Sequence, residues 1–478
     1  MRPPRAPLLT ALLLLLALGS GCGASGADSP PVGGSPGGGG GGGTPGGGGP
    51  GAGVEWQDPE RIEFRSETAS EARVAVDPTS GDAVAVWLQS DGSRVALWAS
   101  RLDRSTGEWS TPEAIDTEGI GNSRSPQLAA DGDGNVFAVW VRNSNAIPSE
   151  PTVWVARHTA AGVWEEPEPL DAGAGPGQSP QVAANDSGVA VVAWIQGDGT
   201  DDSVWVSRFD PFDETWRGPD HAAAGSPAED ASSPSIDISD TGDVFVAWVQ
   251  RASAVAQPGI WVNRFDVDLS AWNGPDEIDG QPISASSPQV GADADGNAVV
   301  LWEQAGSIHA RRFVKGTPST PSEWGTPQEL DTSGQTADHA ALAVAPTGHA
   351  VAIWRRDGGG GRIHASRLDP SSGDWSAAAR VQTSTTAPSD APHVALDPSG
   401  NAIAVWQQDP GDGKLRIRSS RLAASASAWS TDELVKENNA PGDVATAPRV
   451  AVDADGNAVA VWLEDADGVK SVWGNVRE

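Results

Sequence analysis

The sequence predicts an all-β fold: a closed eight-bladed β-propeller of four-stranded antiparallel blades, in which an N-terminal strand completes the last blade. Three observations lead there. First, one unit recurs, marked by Trp87, Trp140, Trp194, Trp248, Trp302, Trp354, Trp406 and Trp462, at spacings of 52 to 56 residues. That period belongs to propeller blades or solenoids. Second, apolar residues alternate with a period of two, as in "RVAV" and "AVAVW", which describes strands and not helices. Third, the repetitive body begins with the tail of a unit. "VEWQDPERIE" (Val54–Glu63) matches "GEWSTPEAID" (Gly107–Asp116), and the last unit stops after its third strand at "SVWGNVRE" (Ser471–Glu478). A ring assigns both fragments to one blade and removes the sheet edges that an open array would expose.

Composition agrees. The 478 residues include 58 Gly and 37 Pro, which favours many turns over long helices. Acidic residues number 64 against 31 basic, a net charge of -33. Nucleic-acid binding is excluded as an expectation, because phosphate contacts need clustered Lys and Arg.

The chain opens with Arg2 and Arg5 before an apolar run, Leu8–Leu18. A charged segment followed by a largely apolar run of 11 residues reads as a secretory leader, too short to span a bilayer. It ends in "LGSGC" at Cys22, the single cysteine of the chain. Residues 1–22 therefore resemble a bacterial lipoprotein signal, which implies lipidation of Cys22, anchorage to a membrane and a location in the cell envelope outside the cytoplasm. With one cysteine, the fold uses no intrachain disulfide. Residues 23–53 are nearly all Gly, Pro, Ser and Ala and cannot bury apolar surface, so a disordered spacer is expected. Such a linker reaches about 30 Å. Residues 54–478 form the propeller.

Each unit divides into four strands. "RVAV" alternates, "DPTSGD" or "DADGN" turns the chain, and "AVAVW" alternates again. Asp, Asn and Gly supply the turn chemistry: side chains that bond nearby backbone, and positive φ. A variable loop leads to a third strand such as "VALWASRL" or "SVWVSRF", then to a fourth such as "EWSTPEAID". Its proline removes a ladder donor, which places it at a sheet edge. Fourth-strand tryptophans fall at Trp56, Trp109, Trp164, Trp216, Trp272, Trp324, Trp375 and Trp429. They equal the second-strand tryptophans in number only when Trp56 is counted. The remaining five, Trp98, Trp154, Trp205, Trp261 and Trp473, share the third strand, where His309, His364 and Arg418 replace them in other units. This regularity predicts packing layers between blades. Seven arginines also share one register, Arg101, Arg157, Arg208, Arg264, Arg312, Arg367 and Arg421, with Val476 in the eighth unit. One per blade predicts stacking or pairing within the blade.

The turn "SRLDPSSGDWS" (Ser366–Ser376), with Ser366, Asp369, Gly373 and Trp375, and its cognate "SRLDRSTGEWS" (Ser100–Ser110) resemble the Asp-box of sialidase-like propellers. The resemblance implies a propeller in which this turn is structural and remote from any active site. At the level of fold, an eight-bladed lipoprotein also resembles the propeller subunit of bacterial outer-membrane assembly machinery.

No catalytic constellation is legible. Sialidase chemistry uses a tyrosine nucleophile, and this chain has no tyrosine. The seven histidines form no HExxH, and no Gly-x-Ser-x-Gly elbow occurs in the repetitive body. "DADGN" and "DGDGN" offer too few oxygens for calcium and are expected to be turns, so no metal site and no cofactor are predicted. One register offers a ligand face. Gln89, Arg142, Gln196, Gln250, Gln304, Arg356, Gln408 and Glu464 lie two residues beyond each second-strand tryptophan. All are polar, and all sit at the mouth of a variable loop, where specificity resides. The expectation is a monomeric, non-enzymatic module for an unknown protein or glycan. The alternatives are an extracellular polysaccharide hydrolase and an envelope-assembly scaffold.

Overall fold

The computed structural model describes residues 55–478, except 118–120, 144–149, 171–174, 198–200, 227–228, 318, 359, 437–443, 467 and 478. The leader, Cys22 and the 23–53 linker lie outside the described residues. Among the described residues all regular structure is β, arranged as eight antiparallel sheets, and these form the eight blades of a propeller. The first blade shows the pattern: Ser70–Val76, Ala83–Ser90, Val95–Asp103 and an outer strand pair as successive neighbours.

Local chemistry explains each turn. The hairpin between first and second strands is closed by an aspartate that bonds its own loop. Asp131 accepts from the backbone of Asp133 (3.0 Å) and Asn135 (2.8 Å), and from the Asn135 side chain (2.8 Å). Asp293 with Asn297, and Asp453 with Asn457, repeat this arrangement. The outer strand is shorter than the alternation predicts. In the first blade it splits into Glu108–Trp109 and Glu113–Ala114, both paired with the third strand. Pro112 lies in the gap, where its missing N–H interrupts the ladder.

Ring closure occurs as the sequence predicts. Glu60 and Arg61 pair with Gly474 and Trp473 as the outermost strand of the last blade. The seam continues on both sides: Gln57 N–H donates to Val476 O (2.9 Å), and Ile62 N–H donates to Val472 O (3.0 Å). The Trp56 indole donates to the Ser419 hydroxyl of blade 7 (2.7 Å), tying the seam to a second blade.

Blades adhere through apolar clusters that cross each boundary. All eight second-strand tryptophans are 0% exposed. Trp140 packs among Val84, Val86, Leu88 and Leu97 of the preceding blade. Trp87 packs against Ile62, Val461, Leu463 and Val472 of the last blade, so the N-terminal strand lies in the core of the closing interface. Full burial of a tryptophan contributes at most about 4–6 kcal/mol by area.

Ile62 should therefore matter out of proportion to its position near one end of the body. Ile62→Ala in residues 54–478 is expected to cost about 2–5 kcal/mol and to lower the melting temperature. An unchanged melting curve would show that the closing strand does not hold the ring.

Candidate functional site

The polar ring predicted as a ligand face lies inside the wall. Gln89, Arg142, Gln196, Gln250, Gln304, Gln408 and Glu464 are each at most 4% exposed, and Arg356 is half-buried. Expected exposure is corrected to burial, for a physical reason. An enclosed indole N–H favours a nearby acceptor, and at Trp87, Trp194, Trp248, Trp302 and Trp462 the residue two positions on supplies it. Trp354 donates to Asp331 instead (2.7 Å), and the indoles of Trp140 and Trp406 have no partner among the described residues. Trp194 donates to Gln196 Oε1 (2.9 Å), Trp248 to Gln250 (2.9 Å) and Trp302 to Gln304 (3.1 Å). The other end of most of these groups grips the previous blade or the segment leading from it. Gln304 Nε2 donates to Asp279 (2.7 Å), Gln89 to Glu63 (3.0 Å), and the Gln250 amide to Glu229 O (2.6 Å). Arg142 pairs with Asp116, and Arg356 with Asp331 (2.7 Å). Gln408 donates to Ser389 (3.0 Å) within its own blade. At the last blade the polarity inverts. Glu464 accepts the Trp462 indole (3.4 Å) and faces Lys436 of blade 7 (3.7 Å), whose ammonium also lies 4.1 Å from the Trp473 ring centre. The ring is a set of interblade latches.

The repeated arginines also connect blades, where pairing within one blade was expected. Arg157 lies over Phe209 of the next blade (5.1 Å), and Arg264 over Phe313 (5.1 Å). Pairing inside the blade occurs too, as in Arg264 with Asp243 (2.6 Å). His309 stacks on Trp302 at 5.8 Å, taking the place that the third-strand tryptophan fills in other blades.

The side chains that sequence reasoning passed over line the central channel. Eight first strands surround a cavity of about 510 Å³. Each strand carries a bulge near its start, where one residue adopts the left-handed conformation. Ser125, Ser179, Ser233 and Ser287 do so at φ 49–54°. Bulges re-aim the chain, and here they lead it, past a proline in six of the blades, into the channel. The next equivalent position projects Arg73, Gln127, Gln181, Ser235, Gln289, Ala341, His393 and Arg449, one from each blade. Several of these cover the inner strand edges of their neighbours. Ser235 Oγ accepts Val290 N–H (3.1 Å), Gln289 accepts Leu342 N–H (2.9 Å), and His393 Nδ1 accepts Val450 N–H (3.4 Å).

The ring is electrostatically lopsided. His393, Arg449 and Arg73 come from three successive blades, while the opposite arc is neutral. Burial, then the like charge of Arg73, pulls Arg449 down to about 10. Burial, then the two guanidiniums, pulls His393 down to about 3, so it is neutral at pH 7. Two residues deeper, on blade 4, Asp237 accepts Ala292 N–H (2.7 Å). Burial is the main cause that pushes its carboxyl up to about 6. The signal that marks six positions of this ring in the sequence is a polar residue directly after Ser-Pro or Ala-Pro, as in "SPQVAA", "APHVAL" and "APRVAV", whereas Arg73 and Ala341 follow an alanine.

No family profile matches the sequence, and no curated protein matches it. Solved structures give fold likeness. A protein of unknown function from Dyadobacter fermentans is 13% identical over 89% of this chain and 99% of its own, with a TM-score of 0.45. An ulvan lyase is 9% identical over 86% and 94%, with a TM-score of 0.49. The intramolecular trans-sialidase of Ruminococcus gnavus is 10% identical over 88% and 96%, with a TM-score of 0.35. At such values these likenesses carry no argument about chemistry.

Gln304→Leu leaves the Trp302 indole and Asp279 without their shared partner. Stability should fall by about 1–3 kcal/mol in urea denaturation, and an unaltered midpoint would refute the latch. Asp237 sets a pH dependence. Its folded pKa, about 6, exceeds the ordinary 3.8, so its stabilising contribution is full below pH 3.8 and is lost as pH rises through 6. The melting temperature of Asp237→Asn minus that of the wild type should therefore increase between pH 4 and pH 7. A constant difference would contradict the assignment.

Proposed function

We propose that the chain is a lipid-anchored extracytoplasmic module that binds a glycan segment, without turnover, at the mouth of its central channel. The observation that carries this reading is the channel: concave, about 510 Å³, and lined by amides, a hydroxyl and guanidiniums from separate blades. That volume falls within the range of small-ligand sites. A stable protein partner needs a face of roughly 800 Å², and large exposed apolar side chains such as Phe212 and Val255 are isolated from one another in sequence, each on its own loop. Among the described residues, second-to-third-strand turns such as 91–94 lie on the side where the first strands begin. The leader and Cys22 support anchoring.

A second reading is an extracellular polysaccharide hydrolase. Asp237 favours it, since a carboxyl that holds its proton to about pH 6 suits general-acid work. Immobilised residues 54–478 should retain polysaccharide whose reducing ends do not increase in number. Release of new ends, abolished in Asp237→Asn, would favour the hydrolase, and retention of no glycan would overturn both readings. In the full chain, Cys22→Ser should shift the protein from the membrane to the soluble fraction; undiminished membrane association would refute the anchor.

A further inference from the structure

Many arginines of this fold have carboxylate partners or lie over an aromatic ring of the next blade, and some at the outer surface, such as Arg362 and Arg380, donate to backbone carbonyls. Arg94, Arg142, Arg264 and Arg356 each sit on an aspartate. Arg73 and Arg449 differ in being enclosed together in the channel. Their side chains face the channel from adjacent blades, and neither is in an ion pair among the described residues. Arg73 donates to Gln127 Oε1 (3.2 Å) and to the carbonyl of Ala72 (3.0 Å), and Arg449 donates to the carbonyl of Pro448 (2.8 Å). The carboxylate that Arg73 feels is Glu71, which is exposed at the rim.

Two enclosed cations side by side, each short of a counter-charge, lose hydration and repel one another. A protein with a net charge of -33 had many carboxylates available to neutralise them. Their own bonds orient them as well. Each guanidinium has five donors in a fixed fork, and the bonds above occupy only one or two per residue. His393 extends the arc. Its Nδ1 accepts from Val450, so in the neutral ring the proton lies on Nε2, as a further donor. Asp237, on the opposite side and deeper, repels an anion from that wall, which favours the side formed by blades 8 and 1.

We propose that Arg73 and Arg449 form a seat for one oxyanion group, a carboxylate or a sulfate, carried into the channel by the ligand. This rests on the channel as the binding site, and it narrows the ligand class to acidic saccharides. The group lies across both guanidiniums, each of which can offer a two-pronged contact. The surrounding acidic shell repels polyanions at a distance, so selection occurs by fit within the channel and not by long-range attraction.

The test is isothermal titration of residues 54–478 at constant ionic strength with sodium sulfate, glucuronate and neutral glucose. Sulfate and glucuronate are expected to bind saturably, and glucose is not. Arg73→Gln and Arg449→Gln should each weaken oxyanion binding at least tenfold. Arg449→Lys, which keeps the charge and loses the fork, should fall between. Arg217→Gln, at an exposed outer arginine paired with Asp210 and Asp213, should bind as the wild type does. Melting curves without ligand confirm that each variant is folded. An acidic oligosaccharide that binds more tightly than sulfate would identify a sugar-borne group, and equal affinity would identify a free oxyanion. Absence of saturable oxyanion binding to the wild type overturns the seat, as does binding unchanged in both glutamine variants. If the protein retains no glycan yet binds sulfate through these arginines, the glycan reading fails and the seat stands. If neutral glycans bind and the variants bind them equally, the seat fails and the glycan reading stands.

Discussion

The structure depends on an enclosed N–H group. Each blade places a tryptophan at the centre of its boundary with the preceding blade, where an indole nitrogen without an acceptor is costly, and six of the eight find one. In blades 1, 3, 4 and 5 a glutamine two residues on accepts that proton and then donates across the boundary. The apolar contact supplies adhesion and the amide supplies register. A wall built this way is stiff, because sliding one blade along its neighbour would strand both a carbonyl oxygen and a donor in apolar surroundings. Stiffness in turn fixes the eight first strands around the channel.

Much of this was legible in the sequence, for identifiable reasons. A period of 52–56 residues and a displaced unit ending at Glu63 dictate a ring, because only closure gives Trp56 and Trp473 a common sheet. The turns were legible because Asp131, Asp293 and Asp453 bond within a few residues of themselves. The polar ring was legible as a pattern but not as a location. Polarity at Gln304 reads the same whether it meets water or meets Trp302 and Asp279, and Asp279 lies a full strand and loop earlier. The channel ring was missed because Arg73 and Arg449 look like ordinary members of an alternating strand. They become neighbours only when blades from the two ends of the body meet.

Charge is segregated by depth. The exterior carries the excess of carboxylates, while the channel carries a cationic arc of Arg73 and Arg449 facing a neutral one. Asp237 interrupts the lower wall with a group close to its protonation midpoint near neutrality. Just above it, the Ala292 N–H satisfies this carboxylate from the next blade. At the same level Gly291 replaces the usual small side chain, since a Cβ there would come within 2.4 Å of Val344 Cγ2. The narrow floor and the polar collar above it are thus products of the same inward turn of the first strands.

The inverted latch between blades 7 and 8 has a further result. At four other joints an acid of the earlier blade meets an amide or guanidinium of the later one: Glu63 with Gln89, Asp116 with Arg142, Asp279 with Gln304 and Asp331 with Arg356. Only Lys436 presents a cation, and only Glu464 presents its complement. An assembly that skipped the eighth module would bring Lys436 to Gln89, an amide in place of the carboxylate it meets at Glu464. One reversed pair thereby gives the joint between blades 7 and 8 a charge pattern opposite to that at Glu63, Asp116, Asp279 and Asp331.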